Sequence, residues 1–217
     1  MTPVPRVTTE RTAGTERQAE RTPLAERIAA YRRDTEFAAS VRGQALQFRA
    51  TWGLFSPREV DEGTAMLIDA IEVTPDADCF DLGCGYGAIG LTLARLAPIG
   101  ETWMVDRDFV AVKYAQTNAA ANGVTNARVL LSNGFDAIPQ GQRFDVIASN
   151  LPAKVGNELL TLLIADAHAH LNPGGRLYVV TLSNMRRFIE RTCEEVFGNY
   201  AKAKQGRQHT VALAVRR

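Results

Sequence analysis

Residues 81–90 read DLGCGYGAIG, a glycine-rich stretch that follows an apolar run and leads into a helical pattern. Glycines at such a junction let the backbone turn sharply and bring helix N-terminal amides close to a ligand. On the C-terminal side of this loop, short apolar runs such as TWMVD and FDVIASN alternate with amphipathic segments. Alternation of this kind predicts an α/β fold, a mostly parallel sheet covered by helices on both faces.

The last part of the chain departs from this alternation. Only NYAKAKQGRQ separates Gly198 from the final apolar run HTVALAV, and that is too short for a crossover helix. YAKAKQ and HTVALAV are therefore predicted to pair as an antiparallel hairpin. The expected sheet is Rossmann-like, with seven strands and this hairpin at its C-terminal end.

The N-terminal part has a different composition. Residues 1–22 are rich in Thr, Arg, Glu and Pro and are predicted to form a disordered basic arm. Leu24, Ile28 and Tyr31 recur at helical spacing, which predicts a helix over about 23–40 within a helical extension that spans 23–45. Residues 46–217 form the predicted main domain. Ser56, followed by Pro57 and an acid, is the predicted N-cap of its first helix.

Composition narrows the functional class. The formal net charge is +1, and residues 1–49 hold nine arginines against six acids. A charge distribution of this kind does not produce the strong positive electrostatic field of an obligate nucleic-acid binder, although a basic arm is compatible with an RNA substrate. The chain has no membrane-length apolar run and no secretory signal pattern at its N-terminus. The three cysteines lack metal-ligand spacing, so we expect reduced thiols, no metal and a cytoplasmic protein.

The glycine loop fits two cofactors when it is considered alone. Gly83, Gly85 and Ala88 also match a dinucleotide fingerprint, and Asp106 at the end of the next strand suits a ribose hydroxyl in either case. Three features favour S-adenosylmethionine. Asp81 can bind an ammonium group directly or through water, the C-terminal hairpin is foreign to dinucleotide folds, and little chain remains for a separate substrate domain.

DLGCGYG, VD and SNLPA, in this order, resemble the class I S-adenosylmethionine-dependent methyltransferases. Over residues 44–217, the segments GLFSPREVDEGT, NAAANGV, SNGFD, NLPAKVG and LNPGG narrow the resemblance to the small methyltransferase (MTS) domain, which includes guanine-N2 methyltransferases of small-subunit ribosomal RNA. The resemblance implies S-adenosylmethionine as cofactor, ribosomal RNA or the small ribosomal subunit as partner, and a monomer or weak homodimer. The cofactor-binding residues that we predict are Asp81, Gly83, Cys84, Gly85, Gly87, Asp106, Arg107, Asn133, Gly134, Phe135 and Asn150.

The same resemblance places Asn150, Leu151, Pro152 and Ala153 on an Asn-Pro-Pro-aromatic motif. An exocyclic amine is a poor nucleophile because its lone pair is delocalised, and an amide oxygen with a backbone carbonyl can hold it and turn the lone pair toward the methyl group. Asn150, Leu151 and Pro152 are therefore the predicted catalytic residues. Leu151 and Ala153 depart from the motif, and the loss of the aromatic weakens the case for a base held by stacking. The predicted substrate-binding residues are Phe55, Ser56, Ala153 and Lys154.

Two function classes stay open. The first is an N-methyltransferase, acting on guanine N2 or alternatively on a protein glutamine or a small-molecule amine. The second is an inactive cofactor-binding module, which Leu151 and Ala153 would favour. In the first case, residues 1–45 are predicted to assist RNA binding.

Overall fold

The computed structural model describes residues 22–152 and 155–217. Its strands are β1 (Thr35–Val41), β2 (Gln44–Ala50), β3 (Cys79–Leu82), β4 (Thr102–Asp106), β5 (Ala127–Leu131), β6 (Phe144–Asn150), β7 (Leu171–Leu182), β8 (Ala201–Gln205) and β9 (His209–Val215). Its α-helices are α1 (Leu24–Tyr31), α2 (Glu62–Ala70), α3 (Ala88–Leu96), α4 (Phe109–Ala121), α5 (Asn157–His170) and α6 (Arg186–Phe197). None of these helices combines the length and apolar composition that a membrane span requires.

Seven strands form the central sheet in the order β5-β4-β3-β6-β7-β9-β8. The first four pairings are parallel, whereas β9 runs antiparallel to both β7 and β8. The predicted α/β fold and its C-terminal antiparallel hairpin are therefore confirmed. Strand β3 is the central one of the five parallel strands, so the glycine loop that follows it opens between β4 and β6 at the carboxyl edge of the sheet.

Both faces of the sheet are buried. One face carries a cluster that joins Phe80, Phe144 and Ile147 to Ile164 of α5 and Ile189 of α6. The other face is covered by α2, α3 and α4, with fully buried side chains that include Leu67, Ile68, Leu91, Leu93 and Met104. Each completely buried side chain of this size contributes about 1.5–3 kcal/mol of transfer free energy to folding. Because such side chains pack on both faces, the sheet is firmly held and its edge is a rigid platform for the loops above it.

The N-terminal extension differs from the prediction. The helix ends at Tyr31, and residues 35–50 form the β1–β2 hairpin instead of continuing the helix. Arg42 and Gly43 have φ values of +49° and +77°, as a two-residue hairpin turn requires. Alternate residues of β2 point inward, so that Leu46 and Phe48 are buried. The predicted helix over 23–40 is therefore wrong beyond Tyr31. Residues 1–21 of the predicted arm at 1–22 lie outside the described residues.

The hairpin is attached to the main domain through α4. Asn118 Oδ1 accepts from Arg49 N at 2.8 Å, and its Nδ2 donates to Arg49 O at 2.9 Å and to Tyr86 O at 2.8 Å. Asn122 holds the backbone N–H and C=O of Gln47 in the same way, at 2.9 and 2.7 Å. The asparagines of the NAAANGV segment thus bind the hairpin and the glycine loop to the same helix.

The predicted start of the first main-domain helix is also wrong. Asp61 is the N-cap of α2, because its carboxylate accepts from Gly63 N and Thr64 N at 3.0 and 3.2 Å. Ser56 lies in the preceding loop with φ +44°, and its hydroxyl donates to Glu59 O at 2.7 Å. The local Ser-Pro pattern is used for a turn, while the carboxylate five residues later caps the helix.

Candidate functional site

A cavity of about 720 Å³ opens at the carboxyl ends of β3, β4 and β6. This is where open α/β sheets bind ligands, and the volume is typical of cofactor sites. Its wall is formed by the glycine loop, the end of β4, the loop after β5, the Asn150 segment and residues 53–55. The predicted cofactor and substrate segments therefore meet around one cavity.

The glycine loop makes its turn with three left-handed glycines. Gly83 and Gly85, at φ +75° and +55°, line the cavity together with Cys84. Gly83 N and Cys84 N both donate to Val105 O at 2.9 Å, which fixes the loop on β4. Gly87, at φ +103°, is the N-cap of α3 and lies against Met104 instead of the cavity. Its role in this structure is to start the helix, and contact with a cofactor stays a prediction.

Asp81 lies below the loop and is fully buried. Its Oδ2 accepts from Gly90 N at 2.7 Å, and its Oδ1 has no hydrogen-bond partner among the described residues. Burial raises the pKa of Asp81 to about 7, against the lowering effect of the Gly90 N–H and with a smaller contribution from Asp106. Because Asp81 is not part of the cavity wall, direct contact with an ammonium group has no support here, and contact through water stays a prediction.

The end of β4 supplies a second carboxylate that does reach the cavity. Asp106 Oδ2 accepts from Gly85 N and its Oδ1 from Asp108 N, both at 2.9 Å. These bonds join the strand end to the glycine loop, so the carboxylate has a fixed orientation at the wall. Arg107 follows it on the same wall. The predicted position of Asp106 for a ribose hydroxyl is compatible with this geometry.

The loop after β5 contributes two residues to the cavity wall and one residue to the core. Asn133 and Gly134 line the cavity, and their contact with a cofactor stays a prediction. Phe135 is 5% exposed and stacks between Phe80 and His170, with ring centroids 4.6 and 4.7 Å away. It lies in the core and outside the cavity wall, so the predicted adenine contact through Phe135 is not supported.

Asn150 ends β6 directly at the cavity, and its Nδ2 donates to Thr64 Oγ1 at 2.9 Å. Leu151 is 4% exposed; its N–H donates to Val180 O at 3.1 Å, and its side chain joins the core. Pro152 completes this side of the wall. The buried strand therefore delivers a polar amide, a backbone turn and a proline to the cavity. The predicted substrate contacts of Ala153 and Lys154 fall outside the described residues.

The segment before α2 closes the opposite side. Gly53, Leu54 and Phe55 line the cavity, and the Phe55 side chain is 68% exposed. Trp52 is also exposed, so two aromatic rings stand beside the entrance. Phe55 thus lies where the prediction requires it, whereas Ser56 turns to Glu59 and is not part of the wall.

The sequence reasoning assigned no role to several polar residues of the cavity wall, among them Asp61, Thr64, Tyr86 and His209. Tyr86 is largely buried against Phe37 and Phe48, and its hydroxyl donates to Glu59 O at 3.0 Å. Asp61 has a local signal, since an acid two residues before Gly63 and at the start of an apolar helical pattern is a favoured N-cap. Tyr86 lies within the glycine loop itself, whereas Thr64 and His209 carry no local signal, because distant chain segments bring them to the site.

Cys84 is the one cysteine on this wall among the described residues. Burial raises the pKa of its thiol well above the ordinary value, and the Asp81 and Asp106 carboxylates add to the effect. A neutral thiol is a poor nucleophile, so Cys84 acts as part of the apolar wall. In the described part of the chain, no group of three or more His, Cys, Asp or Glu side chains is arranged to hold a metal ion.

Comparison with known proteins agrees with this arrangement. Residues 45–212 match the methyltransferase small domain family. A Bacillus subtilis protein named "Uncharacterized protein YbxB" is 34% identical over 142 residues, which cover 64% of this chain and 70% of that protein. Ribosomal RNA small subunit methyltransferase C of Pseudomonas syringae pv. syringae is 34% identical over 168 residues, which cover 76% of this chain and 49% of that protein.

Among solved structures, the T. thermophilus 16S rRNA N2 G1207 methyltransferase (RsmC) in complex with AdoMet and guanosine has a TM-score of 0.77 and 30% sequence identity. The match covers 84% of this chain and 50% of that one, so the chain spans about half the length of the RNA methyltransferases that it matches. A ribosomal protein L11 methylase from Lactobacillus delbrueckii subsp. bulgaricus shares the fold at a TM-score of 0.62 and 22% identity. The sheet order, the cavity and the match over residues 45–212 lead to one conclusion: this chain belongs to the methyltransferase small domain family.

Proposed function

We propose that the protein transfers a methyl group from S-adenosylmethionine to the N2 amine of a guanine in small-subunit ribosomal RNA. The observation that carries the proposal is the Asn150 side-chain amide, which ends a buried strand in the same cavity as the glycine loop and Asp106. The substrate class is supported by the Pseudomonas and T. thermophilus relatives, which are methyltransferases of small-subunit ribosomal RNA by name. The predicted monomeric or weakly dimeric state belongs to the same proposal.

The residues present fit this cofactor. Gly83, Cys84 and Gly85 form a cradle without bulky side chains, and the fixed Asp106 carboxylate has acceptor capacity for ribose hydroxyls. The wall is largely apolar, which suits an adenine ring and excludes water. When bound, S-adenosylmethionine supplies an already activated sulfonium methyl group, so no metal is required.

The chain's own residues then have to orient the acceptor. An amide oxygen of Asn150 accepts one N–H of the amine, and a backbone carbonyl of the Asn150–Leu151 turn accepts the other. These two hydrogen bonds hold the N–H groups out of the ring plane and turn the nitrogen lone pair toward the cofactor. Methyl transfer leaves the neutral thioether of the cofactor, and the nitrogen keeps one hydrogen and releases the other as a proton to water. Pro152 restricts the backbone of the turn that carries these acceptors. Most of the rate enhancement expected here comes from positioning.

The test is transfer of tritium from labelled S-adenosylmethionine to ribosomal RNA, small subunits and protein extract, followed by nucleoside analysis. Label in N2-methylguanosine is the expected result. Label in protein or in a small amine would keep the amine mechanism and overturn the RNA substrate. Cofactor binding without any transfer would indicate an inactive module. Sedimentation of the same preparation reports the oligomeric state.

Asn150→Ala tests the residue that carries the proposal. We expect turnover to fall by about 10²–10³, as when one donor of a preorganised site is removed, with cofactor affinity retained. Asn172→Ala is the matched control, since Asn172 donates to Asp145 at 2.7 Å and lies outside the cavity wall. Normal methylation by Asn150→Ala would show that the amide does not hold the acceptor.

A further inference from the structure

We infer that Thr64 is a positioning residue that holds the Asn150 amide in place at the cavity, with the amide oxygen left for the acceptor; this rests on the proposed function. Thr64 and Asn150 are 86 positions apart, yet Asn150 Nδ2 donates to Thr64 Oγ1 at 2.9 Å. Both residues line the cavity, and Thr64 is 6% exposed. The hydroxyl is therefore a largely buried partner for one end of a functional amide.

The hydroxyl is itself held in place. Asp61 Oδ1 accepts from Thr64 N at 3.2 Å and from Gly63 N at 3.0 Å, which fixes the first turn of α2. On the other side, β6 is fixed by the Ser149 hydroxyl, which donates to Leu82 O at 2.7 Å, and by Leu151 N. The Thr64–Asn150 bond thus joins two rigid elements, and neither partner has to be ordered when the acceptor arrives.

The direction of this bond determines the chemistry at the cavity. A side-chain amide has a donor end and an acceptor end. With Nδ2 committed to Thr64, the oxygen is the end that remains, and no hydrogen bond to Asn150 Oδ1 is found within residues 22–152 and 155–217. That oxygen can accept a hydrogen bond from an amine N–H. If the amide were rotated by 180°, its own NH2 group would face the amine, and two donors would then meet. In this orientation the Asn150 amide matches an acceptor that donates hydrogen bonds, which means an amine rather than a carbonyl oxygen.

Thr64→Val removes the hydroxyl and keeps the shape. We expect its turnover to fall about 10- to 100-fold, as for other partners that orient a functional group, with KM and cofactor affinity changed less than threefold. Thr64→Ser should recover most of the turnover. Thr192→Val is the matched control, because Thr192 is 2% exposed and bonds to Phe188 O within α6, outside the cavity wall.

A second readout does not depend on activity. The ¹⁵N side-chain amide signals of Asn150, assigned by their loss in Asn150→Ala, should shift in Thr64→Val and stay unchanged in Thr192→Val. Thr64→Ala removes the same hydroxyl with a smaller side chain and carries the same expectation, should the valine disturb folding. Unchanged amide signals in the hydroxyl-free variants, or turnover equal to that of Thr192→Val, would overturn the inference. If the unaltered protein does not methylate RNA, the proposed function is overturned, and the ¹⁵N amide signals of Asn150 still decide the role of Thr64.

Discussion

Replacement of Asn118 by alanine should detach the β1–β2 hairpin from the cofactor loop. Asn118 is 1% exposed and makes three side-chain hydrogen bonds, two to the backbone of Arg49 and one to Tyr86 O. Each such bond contributes about 1 kcal/mol net, and a buried partner left unpaired costs about 1–3 kcal/mol. We therefore expect the free energy of unfolding to fall by about 3 kcal/mol in Asn118→Ala.

The matched control is Asn122→Ala. Asn122 makes the same pair of bonds to Gln47, but these bonds are exposed, so water replaces them when the side chain is removed. Its loss should cost about 1 kcal/mol or less. Urea unfolding of both variants gives the two free energies.

The same change should weaken cofactor binding. Tyr86 belongs to the glycine loop, lines the cavity and packs on Phe37 and Phe48 of the hairpin. Calorimetric titration of S-adenosylmethionine should therefore show a greater loss of affinity for Asn118→Ala than for Asn122→Ala. Equal stability losses in the two variants, or intact cofactor affinity in a destabilised Asn118→Ala, would refute the reasoning that one buried side chain joins the hairpin to the loop.

Two further predictions concern the buried carboxylate and the N-terminal residues. The pKa of Asp81 is about 7 in the folded state and near 3.8 in the unfolded state, so the folded state binds more protons between these two pH values. The contribution of Asp81 to the free energy of unfolding therefore falls as the pH rises through this range. Asp81→Asn should flatten the pH dependence of the urea unfolding free energy over pH 4–8, and an unchanged profile would contradict this. Removal of residues 1–21 should leave the fold intact and weaken RNA binding in a salt-dependent way. Removal of residues 1–43 should also lower the melting temperature, because Phe37 packs on Tyr86. Unaltered RNA affinity after removal of residues 1–21 would show that the arm does not assist binding.

The hairpin shows how a real local signal can be misinterpreted. Phe37, Ala39 and Val41 alternate with more exposed residues, and Arg42-Gly43 is a two-residue turn before a second alternating run. The helical spacing from Leu24 to Tyr31 predicts a helix that continues over these residues, whereas their period of two and the Arg42-Gly43 turn belong to a hairpin. A strand pair of this length gains its stability from packing against Tyr86 and α4, which the local sequence does not reveal.

The sequence by itself determined the features that depend on local chain chemistry. The glycine loop, the strand that ends at Asn150 and the short link to HTVALAV each require a particular backbone geometry, and these predicted the sheet, its C-terminal hairpin and part of the cavity wall. The tertiary structure alone decided that Asn150 donates to Thr64, that His209 reaches the cavity, and that Phe135 belongs to the core. Contacts between residues far apart in the chain depend on how whole elements pack, and spacing along the sequence carries no information about that packing.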